Sequence, residues 1–316
     1  MPALSASAPG KTILFGEHAV VYGYPAIAVP LPDISLNVIV QALPGKDQSR
    51  IINHEFGEDY LLTDNSDDVY QAALMTIQHS LHLNHLPAMQ LTFSSTIPPA
   101  SGLGSSAAFA VALTKAVTAF LGFHLSFDII NEIAFEIEKR QHGTPSGIDN
   151  TVVCYQTPIF FRKHHPVEFL QLEKPIHVIL ANSGVPSSTK ASVNQVRQLR
   201  DSHPVKTDEI FERIGSIAEN ARELIMNGEI VSVGNLMTQN HTLLRQLDIS
   251  TKILDQLVEA AINSGAFGAK LCGSGKGGNV VSLVPAEKTQ QIKEALLKAG
   301  AASCFVSTIN PTGKLT

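Results

Sequence analysis

The chain predicts an α+β protein rather than a doubly wound parallel sheet. Short alternating segments broken by Pro and Gly fill the first third. A nearly all-apolar helical segment follows a glycine-rich loop at residues 98–108. The tail alternates strand, glycine turn, strand, helix, strand. The 316 residues, 44% hydrophobic and 16% charged, suffice for a sizeable core and for two domains.

Taken in order, Leu4 to Ala8, Thr12 to Phe15, Ala26 to Val29 and Ile34 to Ala42 are strand candidates. Asp67 to Leu83 spaces Val69, Ala73, Ile77 and Leu81 as a helix does. Met89 to Phe93 reads as a strand. Helices follow over Ser105 to Leu121, apolar all round and therefore central, and over Ser126 to Gln141. A turn, His142 to Gly147, opens a further helix into which Asp149 falls. Pro158 to Arg162 is a strand candidate, and the polar stretch Lys163 to Pro175 is read as a seam, dividing the chain into 1–174 and 175–316. Ile176 to Ala181 is a strand. Three or four helices lie between Thr189 and Ser264, with breaks near Pro204, Gly228 and Ser250. The tail gives strands at Gly268 to Leu271, Asn279 to Val284 and Ser303 to Thr308, with a helix at Ala286 to Ala299.

A net charge of −5 argues against a broad nucleic-acid surface. Cys154, Cys272 and Cys304 form no CxxC pair, so reduced thiols and no zinc site are expected. The N-terminus has no basic segment followed by a long apolar run, and no apolar stretch reaches ~18 residues. A cytoplasmic protein with no membrane partner is the expectation.

The chemistry concentrates at Pro98-Pro99-Ala100-Ser101-Gly102-Leu103-Gly104-Ser105-Ser106-Ala107-Ala108. Gly102 and Gly104 allow positive φ and close approach to a ligand. A glycine loop feeding a helix N-terminus offers N–H groups and a positive dipole end to an anion, and a hydroxyl there can reach phosphate-bound Mg²⁺. An ordinary turn with a Ser N-cap is the plainer alternative. Ser5 to Thr12 ends like a Walker A motif, but Ser5 stands where its first glycine belongs and a strand follows, so that reading is rejected. Lys270 to Gly278 places Gly273, Gly275, Gly277 and Gly278 between two strand candidates, either as a hairpin or as a second backbone wall. Glu138 and Asp149 flank a tight turn; one could hold Mg²⁺ while the other faces a nucleophile, or each could be a local charge partner. A phosphate loop, two carboxylates and Lys11 are together the parts that phosphoryl transfer uses.

These motifs resemble the GHMP small-molecule kinases, and within them the members that act on mevalonate. The match runs in order through Ala8-Pro9-Gly10-Lys11 with Gly16-Glu17-His18-Ala19-Val20-Val21-Tyr22-Gly23, then Pro98 to Ala108, His142 to Asn150, Ser187-Ser188-Thr189-Lys190-Ala191, and Lys270 to Gly278. The resemblance implies a two-domain GHMP kinase fold: an N-terminal ATP-binding domain like the second domain of ribosomal protein S5, and a ferredoxin-like C-terminal domain. It implies transfer of the ATP γ-phosphoryl group to the 5-hydroxyl of mevalonate, in isoprenoid biosynthesis, with Mg²⁺ as cofactor. Pro98, Ala100, Ser101, Gly102, Leu103, Gly104, Ser105 and Ser106 would bind ATP; Ser106 and Glu138 would hold the metal. Asp149 would face the acceptor hydroxyl, with Lys11 beside it and the γ-phosphate, keeping Asp149 ionised. Lys11, Glu17, His18, Asp149 and Thr189 would hold mevalonate.

One departure stands out: the third motif usually carries alanine and more glycine where this chain has Ser274 and Lys276. The alternatives are another kinase or an ATP-dependent decarboxylase of the same superfamily (phosphomevalonate, diphosphomevalonate, galactose or homoserine as acceptor) and a non-catalytic sensor with this fold. Retention of Lys11, Glu138 and Asp149 argues against the sensor. The expected partners are ATP and mevalonate, without nucleic acid; a homodimer is left open, because the sequence does not set oligomeric state.

Overall fold

Prolines do not break the first two strands. In the computed structural model, which describes residues 3–63, 65, 67–98, 101–142 and 145–311, β1 (Leu4–Phe15) passes through Pro9-Gly10 and β2 (Ala26–Ala42) through Pro30 and Pro32. The sequence reading split each into two. A strand accepts proline wherever the ladder does not require that N–H, and local punctuation does not reveal where that is.

The chain forms two compact units, 3–10 with 34–98 and 104–156, and 11–33 with 101–103 and 157–311. In the first, β2 pairs antiparallel with β5 (Met89–Ser95), placing Val38 opposite Phe93 and Val40 opposite Leu91. Leu36, Val38 and Val40 are buried while Asn37 and Ile39 are half-exposed, the period-2 signature of a one-sided strand. β3 (Arg50–Asn53) runs parallel to β5 and forms a hairpin with β4 (Glu58–Leu61); both are short, and no expectation covered them. Among the described residues, four helices complete this unit: α1 (Val69–Ser80), α2 (Ser105–Phe120), α3 (Phe127–His142) and α4 (Ile148–Tyr155). Asp68 caps α1 by accepting the N–H groups of Tyr70 and Gln71. Tyr70, Phe93 and Phe109 meet at centroid distances of 4.9–5.7 Å, joining α1, β5 and α2. As expected, α2 is buried on almost every face.

In the second unit, residues Ala26–Ala28 of β2 pair with β6 (Ile159–Phe161), which pairs with β7 (Glu168–Phe169). β7 lies in the stretch read as irregular; two residues are too few to show a period. The helices α5 (Thr189–Ser202), α6 (Pro204–Met226), α7 (Ile230–Gln246) and α8 (Lys252–Asn263) break near the expected Pro204, Gly228 and Ser250. A four-stranded antiparallel sheet runs β11 (Ser303–Ile309), β8 (Ile176–Asn182), β10 (Asn279–Leu283), β9 (Gly268–Cys272). The helix expected from Ala286 is a 3₁₀ turn followed by α9 (Thr289–Lys298). Helix α7 crosses β9 glycine on glycine: a Cβ on Gly268 would stand 1.8 Å from the Gly234 carbonyl oxygen. Among the described residues, no helix is long and apolar enough to cross a membrane.

Candidate active site

In the first unit the site is built by α2, α3 and α4. Gly104, at φ +81°, is the N-cap of α2. A glycine cap brings no side chain to the first N–H groups, and a helix N-terminus so capped can receive an anion. Ser105 and Ser106 open the helix and are half-buried. The Ser106 hydroxyl is in hydrogen-bond contact with Glu138 Oε1, lies 2.6 Å from Gln141 Oε1 and 3.0 Å from His142 Nε2. Glu138 is buried at the end of α3. The ammonium of the neighbouring Lys139 reaches Glu136 at 2.5 Å.

The same helix aligns Asp149. Gly147, at φ +89°, caps α4 and lies 3.5 Å, measured from where a Cβ would sit, from the Phe135 ring of α3. Asp149 is half-buried in the first turn of α4, where a carboxylate suits the helix dipole. Its neighbours are anchored to α3. Asn150 Nδ2 donates to Asn131 Oδ1 at 2.7 Å, and Asn131 Nδ2 donates to Thr151 Oγ1 at 3.2 Å. Asn131 and Glu138 are seven residues apart, two turns along α3, so one helix sets the placement of both carboxylates.

In the second unit, Lys11 is buried on β1, and its N–H donates to the carbonyl of Leu103 at 2.9 Å. Ser101 is buried and its carbonyl accepts from Asn279 Nδ2 at 2.6 Å; Gly102 is exposed with φ +74°. Pro98, in the first unit, is half-buried; Ala100 lies outside the described residues. Glu17 and His18 follow β1 and are both buried. Lys270, fully buried on β9, donates from Nζ to Glu17 Oε1 and to the Leu271 carbonyl (2.7 Å), while Asn240 Nδ2 stands 3.4 Å from Glu17 Oε2. Burial pushes the Glu17 carboxyl above its ordinary range, with Lys270 and Asn240 pulling the other way.

His18 holds the left-handed φ of +61° and donates from Nε2 to the Ser274 carbonyl at 3.0 Å. Desolvation lowers its pKa to about 4. Ser274 Oγ lies 2.8 Å from Ser187 Oγ, and Ser187 also donates to the Gly275 carbonyl at 2.5 Å. The Lys276 ammonium is 3.1 Å from Asp248 Oδ2. The two departures from the usual third motif thus tie the glycine loop sideways to neighbouring segments. Thr189 is exposed at the start of α5, beside the N-cap Ser188.

Two family patterns match this chain: GHMP kinases N terminal domain over residues 68–157 and GHMP kinases C terminal over residues 221–302. Mevalonate kinase of Pyrococcus horikoshii is 34% identical over 93% of this chain and 92% of its own length. The chain belongs to the GHMP kinases. As a GHMP kinase it is an ATP-dependent small-molecule kinase. The crystal structure of L. major mevalonate kinase in complex with R-mevalonate superposes with a TM-score of 0.88 at 27% identity, covering 98% of this chain and 96% of that one. The Streptococcus pneumoniae phosphomevalonate kinase structure, at 17% identity and a TM-score of 0.80 over 97% and 100% of the two chains, shares the fold.

The sequence reading of this GHMP kinase did not single out Gln141, His142 or Asn240 as partners of site residues. For Gln141 a signal existed: it lies three residues after Glu138, on the same helical face. For Asn240 there was none, since its partner is 223 positions away.

Proposed function

We propose that this GHMP kinase transfers the γ-phosphoryl group of ATP to the 5-hydroxyl of mevalonate, giving 5-phosphomevalonate and ADP. The observation that carries the reading is the likeness to mevalonate kinases over nearly the whole chain, with 27% identity to the superposed mevalonate kinase structure against 17% to the phosphomevalonate kinase.

The residues fit Mg²⁺. Ser106 and Glu138 bring a hydroxyl and a buried carboxylate into contact at a helix N-terminus, a hard-oxygen donor set of the kind Mg²⁺ takes alongside substrate phosphates. Among the described residues no group of three or more His, Cys, Asp and Glu gathers around a metal position, and a phosphate-sharing Mg²⁺ needs only one or two carboxylates. When bound, the ion neutralises charge on the β- and γ-phosphates.

The remaining work falls to the chain itself. The backbone of Gly102 to Ser106, flanked by Pro98, Ala100 and Ser101, wraps the phosphates, and the α2 N-terminus stabilises charge that builds there. Asp149 accepts or orients the proton of the acceptor hydroxyl, and Lys11 neutralises charge on the transferred group. His18 and Thr189 hold the acceptor. Glu17, its carboxylate engaged by Lys270, holds the acceptor with them.

The test is an ADP-release assay with Mg-ATP and a panel of mevalonate, phosphomevalonate, diphosphomevalonate, galactose and homoserine. Turnover with mevalonate alone is expected. Preference for a phosphorylated acceptor would reassign the substrate, and ATP binding without turnover on any acceptor would revive the sensor.

A further inference from the structure

The Ser106 hydroxyl has more acceptors than protons. It carries one proton and two lone pairs, yet Glu138 Oε1 and Gln141 Oε1 both stand within hydrogen-bond reach. The proton goes to the carboxylate, the stronger acceptor of the two. His142 Nε2, at 3.0 Å, can donate to a lone pair of the serine oxygen. The Gln141 carbonyl oxygen, at 2.6 Å, is then left facing another oxygen with no proton between them.

Two electronegative atoms at that separation repel unless something positive comes between or beside them. A divalent cation does this, and carboxylate, hydroxyl and amide oxygens are all ligands it accepts. The helix supplies the geometry: Glu138 and Gln141, at i and i+3 on α3, project from one face toward the first turn of α2.

We propose that Gln141 is a third side-chain oxygen ligand at the Mg²⁺ site formed by Ser106 and Glu138, an inference that rests on the metal assignment made above. Turned over, the same amide presents Nε2–H to Ser106, and Gln141 becomes a hydrogen-bond donor beside the site. The two arrangements respond oppositely to Gln141→Glu, which keeps an oxygen in place and removes the donor.

The experiment is a titration of the full chain with Mn²⁺ in the presence of ADP, read by electron paramagnetic resonance of the free ion, for wild type, Gln141→Leu and Gln141→Glu. Gln141→Leu is expected to weaken Mn²⁺ binding about 10-fold or more, while Gln141→Glu holds or tightens it. Wild-type affinity in Gln141→Leu overturns the proposal. So does an equal loss in both variants, which identifies the amide as a donor. Thermal melting without metal or nucleotide checks the fold; if Gln141→Leu is unfolded, the Gln141→Glu comparison decides. Failure of the wild type itself to bind Mn²⁺ with ADP removes the metal assignment and the proposal together, whereas binding that is insensitive to residue 141 removes only the proposal.

Discussion

Lys270, fully buried on β9, meets the carboxylate of Glu17, 253 positions earlier in the chain, and Glu17 is itself only 2% exposed. Two opposite charges removed from water are tolerable only together. Lys270→Met is therefore expected to cost about 3–5 kcal/mol, because it leaves Glu17 uncompensated. The double variant Lys270→Met/Glu17→Gln should recover much of that loss. Urea unfolding measures both, and equal stability of the single and double variants would contradict the coupling.

Acid should destabilise the protein through its buried histidines. His241 accepts the Leu271 N–H at Nδ1 (3.3 Å) and so carries its proton on Nε2, which donates to Asp255 at 3.0 Å. Burial lowers the pKa of both His241 and His18 from 6.5 to about 4. The unfolded chain takes up these protons first as pH falls, so the stability each neutral ring represents is complete above about pH 6.5 and is lost between there and pH 4. Each contributes about 3 kcal/mol. His241→Gln can keep both hydrogen bonds without titrating, and should flatten the slope of stability against pH over that window. An unchanged slope would show that His241 does not set it.

The crossing of α7 over β9 depends on two missing side chains. A Cβ on Gly268 would lie 1.8 Å from the Gly234 carbonyl oxygen, and one on Gly234 would lie 2.4 Å from the Phe267 carbonyl carbon. Gly268→Ala is expected to cost about 1–3 kcal/mol or more. It should also disturb the contact of Asn240, on α7, with Glu17. A lowered melting temperature with a raised KM for the acceptor is the expected pair of results; a wild-type melting temperature would show that the backbones can part at little cost.

Asp149→Asn and Lys11→Met should each lower kcat by about 10²-fold or more. Asp149 is half-buried at the head of α4 and its neighbours are anchored to Asn131, so the asparagine variant should keep its melting temperature and its nucleotide affinity. Near-normal turnover of Asp149→Asn would remove it from the proton-handling role.

What could be read from the sequence follows the range of the interactions involved. The loop at Ser101–Ser106, the central helix behind it and the breaks at Pro204 and Gly228 are local in origin, since they come from backbone permissiveness and apolar spacing within a few residues. The continuity of β1 through Pro9-Gly10 was hidden because it depends on the partner strand. The short strands at Arg50–Asn53 and Glu58–Leu61 were hidden for the same reason, being held by pairing with β5 and with each other. Within the site, Ser106 and Glu138 were singled out by their motifs and do meet, 32 positions apart. Nothing near Lys270 announces its partner, since an alternating strand reads the same whether its lysine meets water or a buried carboxylate. Ser274 and Lys276 were visible only as departures from the usual alanine and glycine; that they reach Ser187 and Asp248 required the fold.

Phosphorus NMR of a reaction containing the purified protein, R-mevalonate and Mg-ATP tests the central claim most directly. The account predicts that a phosphomonoester resonance appears in step with ADP, coupled to the C5 methylene protons of the acceptor. ATP signals unchanged over many hours at high protein concentration, or loss of the γ-phosphate to inorganic phosphate alone, would contradict it.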